Sequence, residues 1–403
     1  VSYLSPHRQP EPLLGLDLQS DAVRLVALGR NRQGHPLLEH CACEPLAPGW
    51  LVEGRIEQFE AVTQAVSRLL HRAHVRTRQV AMALPEAAVI TKRLTLPRAL
   101  TAEALDARVR AEAEQCLPFP LQEVYLDYGL PEPGTDAISP SPQSGPLLQD
   151  GWDGDRMGVR TNGQMAVLLV AARRERVRDL QALAEAVGLQ AVAVDVADFA
   201  VRRALRHLLA QRTPAQTDGA VHPRPGAAPT MALFDLRADQ IGWSLVRGDE
   251  IVHEGVQAWP SVASPSAAPA TEGTADASSL ASALAEALTR ERSGAWINGE
   301  HAMALTQTGV AGGPGSMATG TEAGIDLAWL TGQVDRCAGL DGALAQALGC
   351  PCRVANPFEG MLRRRPPWRI RRGARAWVEA APEADTAPAY LRACGLALRR
   401  FLP

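Results

Sequence analysis

The sequence predicts an α/β protein built from two similar halves, and three observations carry that expectation. First, Leu14-Gly15-Leu16-Asp17-Leu18, the turn Gln19-Ser20-Asp21 and the apolar run Val23 to Leu28 read as a hairpin with an acidic residue just before its turn. Second, the unit recurs. Met231 to Leu236 is an apolar strand with Asp235 near its end, Arg237 to Gln240 is a turn, and Ile241 to Val246 is a second strand. Third, Thr213 to Thr230, between the two units, is rich in proline and has no periodicity, as a linker should. A chain of 403 residues, at roughly 150 residues per domain, is long enough for two to three cores.

After the first hairpin, Val62, Ala65, Val66, Leu69, Leu70 and Ala73 recur at helical spacing, and Val80 to Leu84 follows as a short apolar strand. Val89 to Leu96 reads as a strand and Thr101 to Leu117 as a helix, stopped because Pro118 and Pro120 lack the amide donors a further turn needs. Val124 to Tyr128 is a further strand, and Pro131 to Gly163, with Pro, Gly, Ser and Asp in no period, is expected to be a loop. Met165 to Ala172 is a strand. Arg173 to Val187 is a helix with Val177, Leu180, Leu183 and Val187 on one side and Gly188 at its C-terminal stop. A strand from Leu189 to Val194 and a helix from Asp198 to Leu209 complete the first half. In the second half, a helix around Leu280 to Arg290 and a strand from Leu327 to Leu330 are set among low-complexity loops at Ser261 to Ser279 and Thr306 to Gly324.

Forty-one basic against 44 acidic side chains give a net charge of −3, so no global basic field exists to hold nucleic acid, and specific nucleic-acid binding is not expected. The first residues lack a basic segment followed by an apolar core, and no apolar run of about 18 residues occurs. A cytoplasmic location is therefore expected; Leu391 to Pro403 is too short and too Arg-rich to span a bilayer. Cys41/Cys43 and Cys350/Cys352 sit two apart, on one face of a strand, and read as buried free thiols, since no zinc-ligand spacing accompanies them. Lys92, the only lysine, carries no assigned role.

Arg363 to Arg375 is a dense basic tract around Trp368 that reads as a solvated loop, with contact to anionic lipid headgroups as the alternative. His71 and His74 share a helix face with Arg68, Arg72 and Arg76 and read as solvated. Glu112 and Glu114, two apart on a helix, face different directions and make a poor acid and base pair. Gly312-Gly313-Pro314-Gly315 has no strand before it and reads as linker rather than a phosphate loop.

A duplicated strand-Asp-turn-strand unit, with a later strand running into Leu330-Thr331-Gly332, is the plan of the actin, heat-shock chaperone and sugar-kinase superfamily. Closer matches lie at Gly15-Leu16-Asp17-Leu18, Ala88-Val89-Ile90-Thr91-Lys92, Glu112 through Leu121 (EAEQCLPFPL) and Leu126-Asp127-Tyr128. They continue at Leu169 through Arg173 (LVAAR), Val194 through Ala200 (VDVADFA) and Val354 through Met361 (VANPFEGM). In order and covering most of the chain, these segments resemble the PilM family of actin-like type IV pilus assembly proteins. The resemblance implies an actin-like, ribonuclease H-like duplicated fold of two lobes. Residues 1–210 would form the first lobe with an inserted subdomain at about 86–188, 211–230 a linker, 231–355 the second lobe, and 356–403 a segment returning to the first. It also implies a scaffold on the cytoplasmic face of the inner membrane. Its partner would be the N-terminal cytoplasmic segment of PilN, held in a groove near the inserted subdomain, and through PilN it would reach PilO, PilP and PilQ.

The same resemblance implies a nucleotide cleft. Two phosphate loops there carry an Asp that holds hydrated Mg²⁺ and then a Gly, because backbone that approaches phosphate closely has no room for a side chain. The first loop of this chain has Asp17, Ser20 and Arg24 but Gln19 at the glycine position; the second has Asp235 followed by Arg237 where glycine is expected. The adenosine segment, expected to carry Gly-Gly, reads Gly332-Gln333. Either these side chains block the phosphates, or Arg237 supplies a cation that steadies a bound nucleotide without turnover. Binding of ATP and Mg²⁺ is expected to be weak or lost, Asp17 and Asp235 being the metal positions, and no catalytic residue is assigned. The rival is an active ATPase or small-molecule kinase of this superfold with Asp195 as base; a third reading is the cytoplasmic domain of a type II secretion protein.

Overall fold

The computed structural model describes residues 13–31, 33–129, 163–211, 229–247, 250–259, 277–294, 325–364, 377–379 and 386–401. Most of the expected loops and linker, the Gly312 to Gly315 run and all but the first two residues of the Arg363 to Arg375 tract lie outside them.

The first half contains β1 (Leu13–Leu18), β2 (Ala22–Arg30), β3 (Pro36–Pro45), a short hairpin β4 (Leu51–Val52) and β5 (Arg55–Ile56), α1 (Phe59–Ala73) and β6 (Gln79–Leu84). It continues with β7 (Val89–Pro97), α2 (Ala102–Cys116), β8 (Val124–Gly129), β9 (Gln164–Arg173), α3 (Arg174–Ala186), β10 (Gln190–Val196) and α4 (Ala197–Gln211). The second half has β11 (Thr230–Leu236), β12 (Gln240–Arg247), β13 (Glu250–Ala258), α5 (Ala277–Gly294), β14 (Leu327–Gly332), α6 (Leu340–Leu348) and β15 (Cys352–Val354). Then come β16 (Leu362–Arg364), β17 (Trp377–Glu379) and α7 (Leu391–Ala397).

Two sheets share one plan. The larger has the order β10-β6-β1-β2-β3-β16-β17, with β1 antiparallel to β2, β2 antiparallel to β3, and β1, β6 and β10 parallel. The other, β13-β12-β11-β14-β15, repeats those directions with β11 in the place of β1. A third, antiparallel sheet, β7-β9-β8, packs with α2 around its own core of Leu96, Leu105, Val109, Ala113, Val124, Val167 and Leu169.

Strand alternation decides what lies on each side. Leu14 and Leu16 of β1 face Val62, Val66 and Leu69 of α1 and Leu180 and Leu183 of α3. Phe234 of β11 faces Leu280, Leu284 and Leu288 of α5 and Leu340 and Leu344 of α6. The opposite faces meet in one apolar cluster that joins the halves. It contains Val26 and Leu38 from the larger sheet, Val201, Leu205 and Leu208 from α4, Leu233 and Trp329 from the second sheet, and Leu391, Cys394 and Leu398 from α7 and the turn after it. Each fully buried leucine there contributes about 2 kcal/mol of transfer free energy, so the halves are held by a core as dry as either half's own.

Several elements were not legible in the sequence. β3 and β13 lack a clean alternation, α6 has a left-handed Gly349 at its end but is too short to show a clear period, and β15, β16, β17 and α7 have no pattern strong enough to mark them. The expected loop at Ser261 to Ser279 is corrected at its end, since Ser278 and Ser279 already belong to α5. All seven cysteines are free, but Cys41, Cys43 and Cys352 are only half-buried where burial was expected; Cys350 is buried. Cys41 and Cys43 rest on the joining core from the same face of β3.

Candidate functional site

Asp17 follows Leu13 and Gly15 on the alternate face of β1, so it looks toward the joining layer and not toward α1. Asp235 follows Met231 and Leu233 on β11 in the same way. Each is the next-to-last residue of its strand, and the two carboxylates flank the Arg392 guanidinium. Asp17 is 2% exposed, which demands a counter-charge or a proton.

Protein side chains supply the counter-charge. Arg392, at the start of α7 and buried, puts Nη2 2.7 Å from Asp235 Oδ2 and Nη1 3.6 Å from Asp17 Oδ1. Arg237 donates from Nε to the same Asp235 oxygen at 2.9 Å, and from Nη1 and Nη2 to both oxygens of Glu86 at 2.8 Å each. A bidentate guanidinium–carboxylate pair of this kind is among the strong hydrogen bonds, roughly twice as strong as a neutral one. Asp198, on α4, lies 4.0 Å from Arg237 Nη2. Gln19 Nε2 donates to Asp17 at 2.6 Å, and Gln333 Nε2 donates across the cleft to Asp21 at 2.6 Å, the carboxylate that also pairs with Arg24 at 2.6 Å. Ser20 lies half-buried in the first turn and takes no part in these bonds.

The second hairpin turn is itself braced. The Arg237 carbonyl accepts from Trp259 Nε1 at 2.7 Å and from Arg336 at 3.1 Å, and Arg336 stacks on the Trp259 ring. Gly332 has φ +81°, and a β-carbon there would sit 2.8 Å from the Leu236 carbonyl carbon. Its glycine is demanded by contact with the neighbouring strand of the same sheet.

These residues do not fit hydrated Mg²⁺ and a nucleotide. The oxygen of Asp235 that faces the cleft carries two guanidinium contacts, and Asp17 is held by Gln19 and Arg392. Beside Asp235 and Arg237 lies a cavity of about 120 Å³ lined by Glu86, Asp198, Trp243 and Glu254 among others. Sites for nucleotide-sized ligands run to roughly 300–1,000 Å³. Among the described residues, no three His, Cys, Asp or Glu side chains are grouped to hold a metal ion. Asp195, the possible base, is buried and bonded to Arg203 at 3.0 Å and Arg399 at 2.8 Å, on the side of α4 and α7.

Burial in the cleft also moves protons. Burial, and then the neighbouring Glu86 carboxylate, push Asp198 well above the usual aspartate range. Burial works against ionising Glu86 too, but the hydrogen bond from Asp198 and the charges of Arg237 and Arg392 outweigh it and hold Glu86 below the usual carboxylate range. The pair therefore keeps a proton on Asp198 at a pH where an unfolded chain has lost it, and stability falls as pH rises through the raised Asp198 value. The groups facing it are Glu86, Arg237, Asp235 and Arg392. Asp198→Asn, which fixes the protonated shape, is expected to flatten the decline of Tm above the ordinary aspartate range. An unchanged slope in thermal melts of the variant would place the proton elsewhere.

Sequence reasoning brought Asp17, Gln19, Arg24, Asp235, Arg237, Gly332 and Gln333 to this place, and missed Arg392, Glu86 and Asp198. Arg392 lies in a stretch with no motif, far along the chain from both aspartates. Glu86 and Asp198 carried a signal, since Asp198 lies inside the matched segment Val194 through Ala200 and Glu86 just before the one that starts at Ala88. His71 and His74 are exposed, as expected, and Glu112 pairs with Arg108 at 2.7 Å on the surface of α2.

No helix among the described residues is long and apolar enough to cross a membrane. The fold is similar to that in a solved structure titled PilM-PilN type IV pilus biogenesis complex, at 22% identity and TM-score 0.62, covering 97% of this chain and 99% of that one. Weaker likenesses are to the ethanolamine utilization protein EutJ of Carboxydothermus hydrogenoformans (11% identity, TM-score 0.41, 98% and 91% covered) and to the cytoplasmic domain of EpsL, an inner-membrane component of the type II secretion system of Vibrio cholerae (11%, 0.36, 79% and 81%). The family model for the type IV pilus assembly protein PilM matches residues 15–140 and 156–259, more than half of the sequence. With that match, and with an actin-like α/β fold around the cleft just described, the chain belongs to the PilM family of type IV pilus assembly proteins.

Proposed function

We propose that this protein is a cytoplasmic, non-catalytic scaffold of type IV pilus assembly that binds the N-terminal cytoplasmic segment of PilN. Through PilN it links to PilO, PilP and PilQ and sits at the inner face of the inner membrane without spanning it. The observation that carries the reading is the family match over residues 15–140 and 156–259. The similarity to a chain solved in a PilM-PilN complex, over nearly the whole length, supports it.

In this reading the fold is the duplicated, ribonuclease H-like arrangement of actin, which the repeated strand order favours. Residues 1–210 form the first lobe with an insertion at about 86–188, 231–355 the second, and 356–403 return to the first. Asp17, Gln19, Ser20, Arg24, Asp235, Arg237, Gly332 and Gln333 line the former nucleotide cleft, where binding of ATP and Mg²⁺ is weak or lost. The rival ATPase or kinase reading needs free carboxylates there, and the guanidinium contacts on Asp235 and Asp195 argue against it. Nothing in the charge balance favours nucleic acid.

The test is a fluorescence anisotropy titration of a labelled peptide from the N-terminus of the partner PilN. Saturable binding in the micromolar range is expected. No saturation by roughly 100 μM, which is weaker than about −5.5 kcal/mol, would remove PilN as the direct partner.

A further inference from the structure

We propose that Arg392 is a built-in cation standing where a metal would bridge Asp17 and Asp235, and that with Arg237 and Gln333 it latches the two halves closed without any nucleotide. The inference is independent of which partner the outer surface binds.

The geometry is that of a bridge. One guanidinium reaches a carboxylate from each half, 3.6 Å to Asp17 on β1 and 2.7 Å to Asp235 on β11. Arg392 is buried, its Nε makes no hydrogen bond, and it nevertheless stays charged, because burial is outweighed first by Asp17 and then by Asp235. An orphaned buried N–H is a cost that a surface arginine avoids by turning outward. Its retention is accounted for by the two carboxylates that Nη1 and Nη2 reach at once.

Two further contacts tie the second half to the first around the same point. Arg237 crosses from the β11–β12 turn to Glu86, just after β6, and Gln333 crosses from the end of β14 to Asp21 in the β1–β2 turn. Arg237, Gln333 and Gln19 are the three side chains that occupy the positions where the resemblance implied glycine. Each of them bonds a carboxylate of the cleft, so the three departures act together. A cleft that had merely lost its ligand would leave its aspartates facing water. Here every one of Asp17, Asp21, Asp235 and Glu86 has a nitrogen donor from the chain itself.

A ligand shifts closure only by its differential affinity for open and closed forms, and a cleft already bridged by its own cations offers Mg-ATP none. The test uses the full chain. Thermal melts and calorimetric titrations of the wild type with millimolar Mg²⁺ alone, and with Mg-ATP, are expected to show no rise in Tm and no saturable heat. Arg392→Ala leaves Asp17 and Asp235 without their shared counter-charge; its Tm is expected to fall by several degrees and to recover by at least half on adding Mg²⁺. Wild-type hydrogen exchange over residues 13–24, 230–240 and 387–397 is expected to be the same with and without Mg-ATP, and this measurement survives a variant that fails to fold. Saturable Mg-ATP binding or nucleotide-induced protection in the wild type would overturn the latch. An Arg392→Ala protein as stable as wild type, or one destabilised and indifferent to Mg²⁺, would overturn the assignment of Arg392 to the metal position.

Discussion

Arg237→Ala is expected to destabilise the protein by about 3 kcal/mol, the low end of the roughly 3–5 kcal/mol lost when one partner of a buried ion pair is removed. The low end applies because the side chains of Glu86 and Asp198 keep about a quarter of their surface in contact with water, although Arg237 itself keeps 11%. Two carboxylates lose counter-charge together, Glu86 both of its guanidinium bonds and Asp235 one of two, and the Asp198 carboxyl loses its nearest cation. The charge of Arg237 is itself held on firmly, since Asp235 and then Glu86 outweigh the cost of burial. Arg237→Lys keeps the charge but reaches only one carboxylate at a time, and is expected to recover less than half of the loss. Urea melts followed by tryptophan fluorescence read both. A loss below about 1 kcal/mol in Arg237→Ala would place this pair among ordinary surface ion pairs.

The second large effect is expected from Gly395→Ala. On helix propensity alone, alanine should stabilise α7 by about 1 kcal/mol. Packing predicts the opposite, because α7 lies directly on α4 at this point. A β-carbon on Gly395 would sit 2.5 Å from the Ala200 carbonyl carbon and closer still to its oxygen, and the obstacle is backbone that cannot turn aside. The Gly395 carbonyl also accepts from Arg203 at 3.2 Å. Relief requires α7 to move as a unit, which opens the joining core around Leu391, Cys394 and Leu398 and draws Arg392 away from Asp17 and Asp235. A net loss of about 3 kcal/mol is expected, at the upper end of the overpacking range. A melt showing Gly395→Ala as stable as wild type would mean that the two helices are farther apart.

The fold was legible wherever one face of an element is dry and the other is not. α1 spells out its buried stripe in Val62, Ala65, Val66 and Leu69, and the β1 and β11 units announce themselves by apolar alternation ending in an aspartate. α7 was not legible for the reverse reason. It is buried all round, between β1, β2, α4 and the turn before it, so its seven residues show no stripe and its single arginine looks like a solvated one. β3 hides its pairing because its residues alternate only briefly before the half-buried His40 to Cys43.

The same division runs through the site. Local sequence by itself determined that Asp17 and Asp235 stand at equivalent places in two repeated units; that Gln19 and Arg237 take the glycine positions of the phosphate loops, and Gln333 one in the adenosine segment, was implied by the family resemblance alone. Spacing along a strand fixes which side a residue faces, and that is enough to put Asp17 and Asp235 on the same side of their two sheets. Only the tertiary structure decided what those side chains do there. Arg392 is 375 positions from Asp17 in the chain yet lies 3.6 Å from it in space, and Arg237 meets Glu86, 151 positions away, at 2.8 Å. The energy of a buried charge depends on the sum of its neighbours at a few ångströms, a quantity that no window of sequence contains.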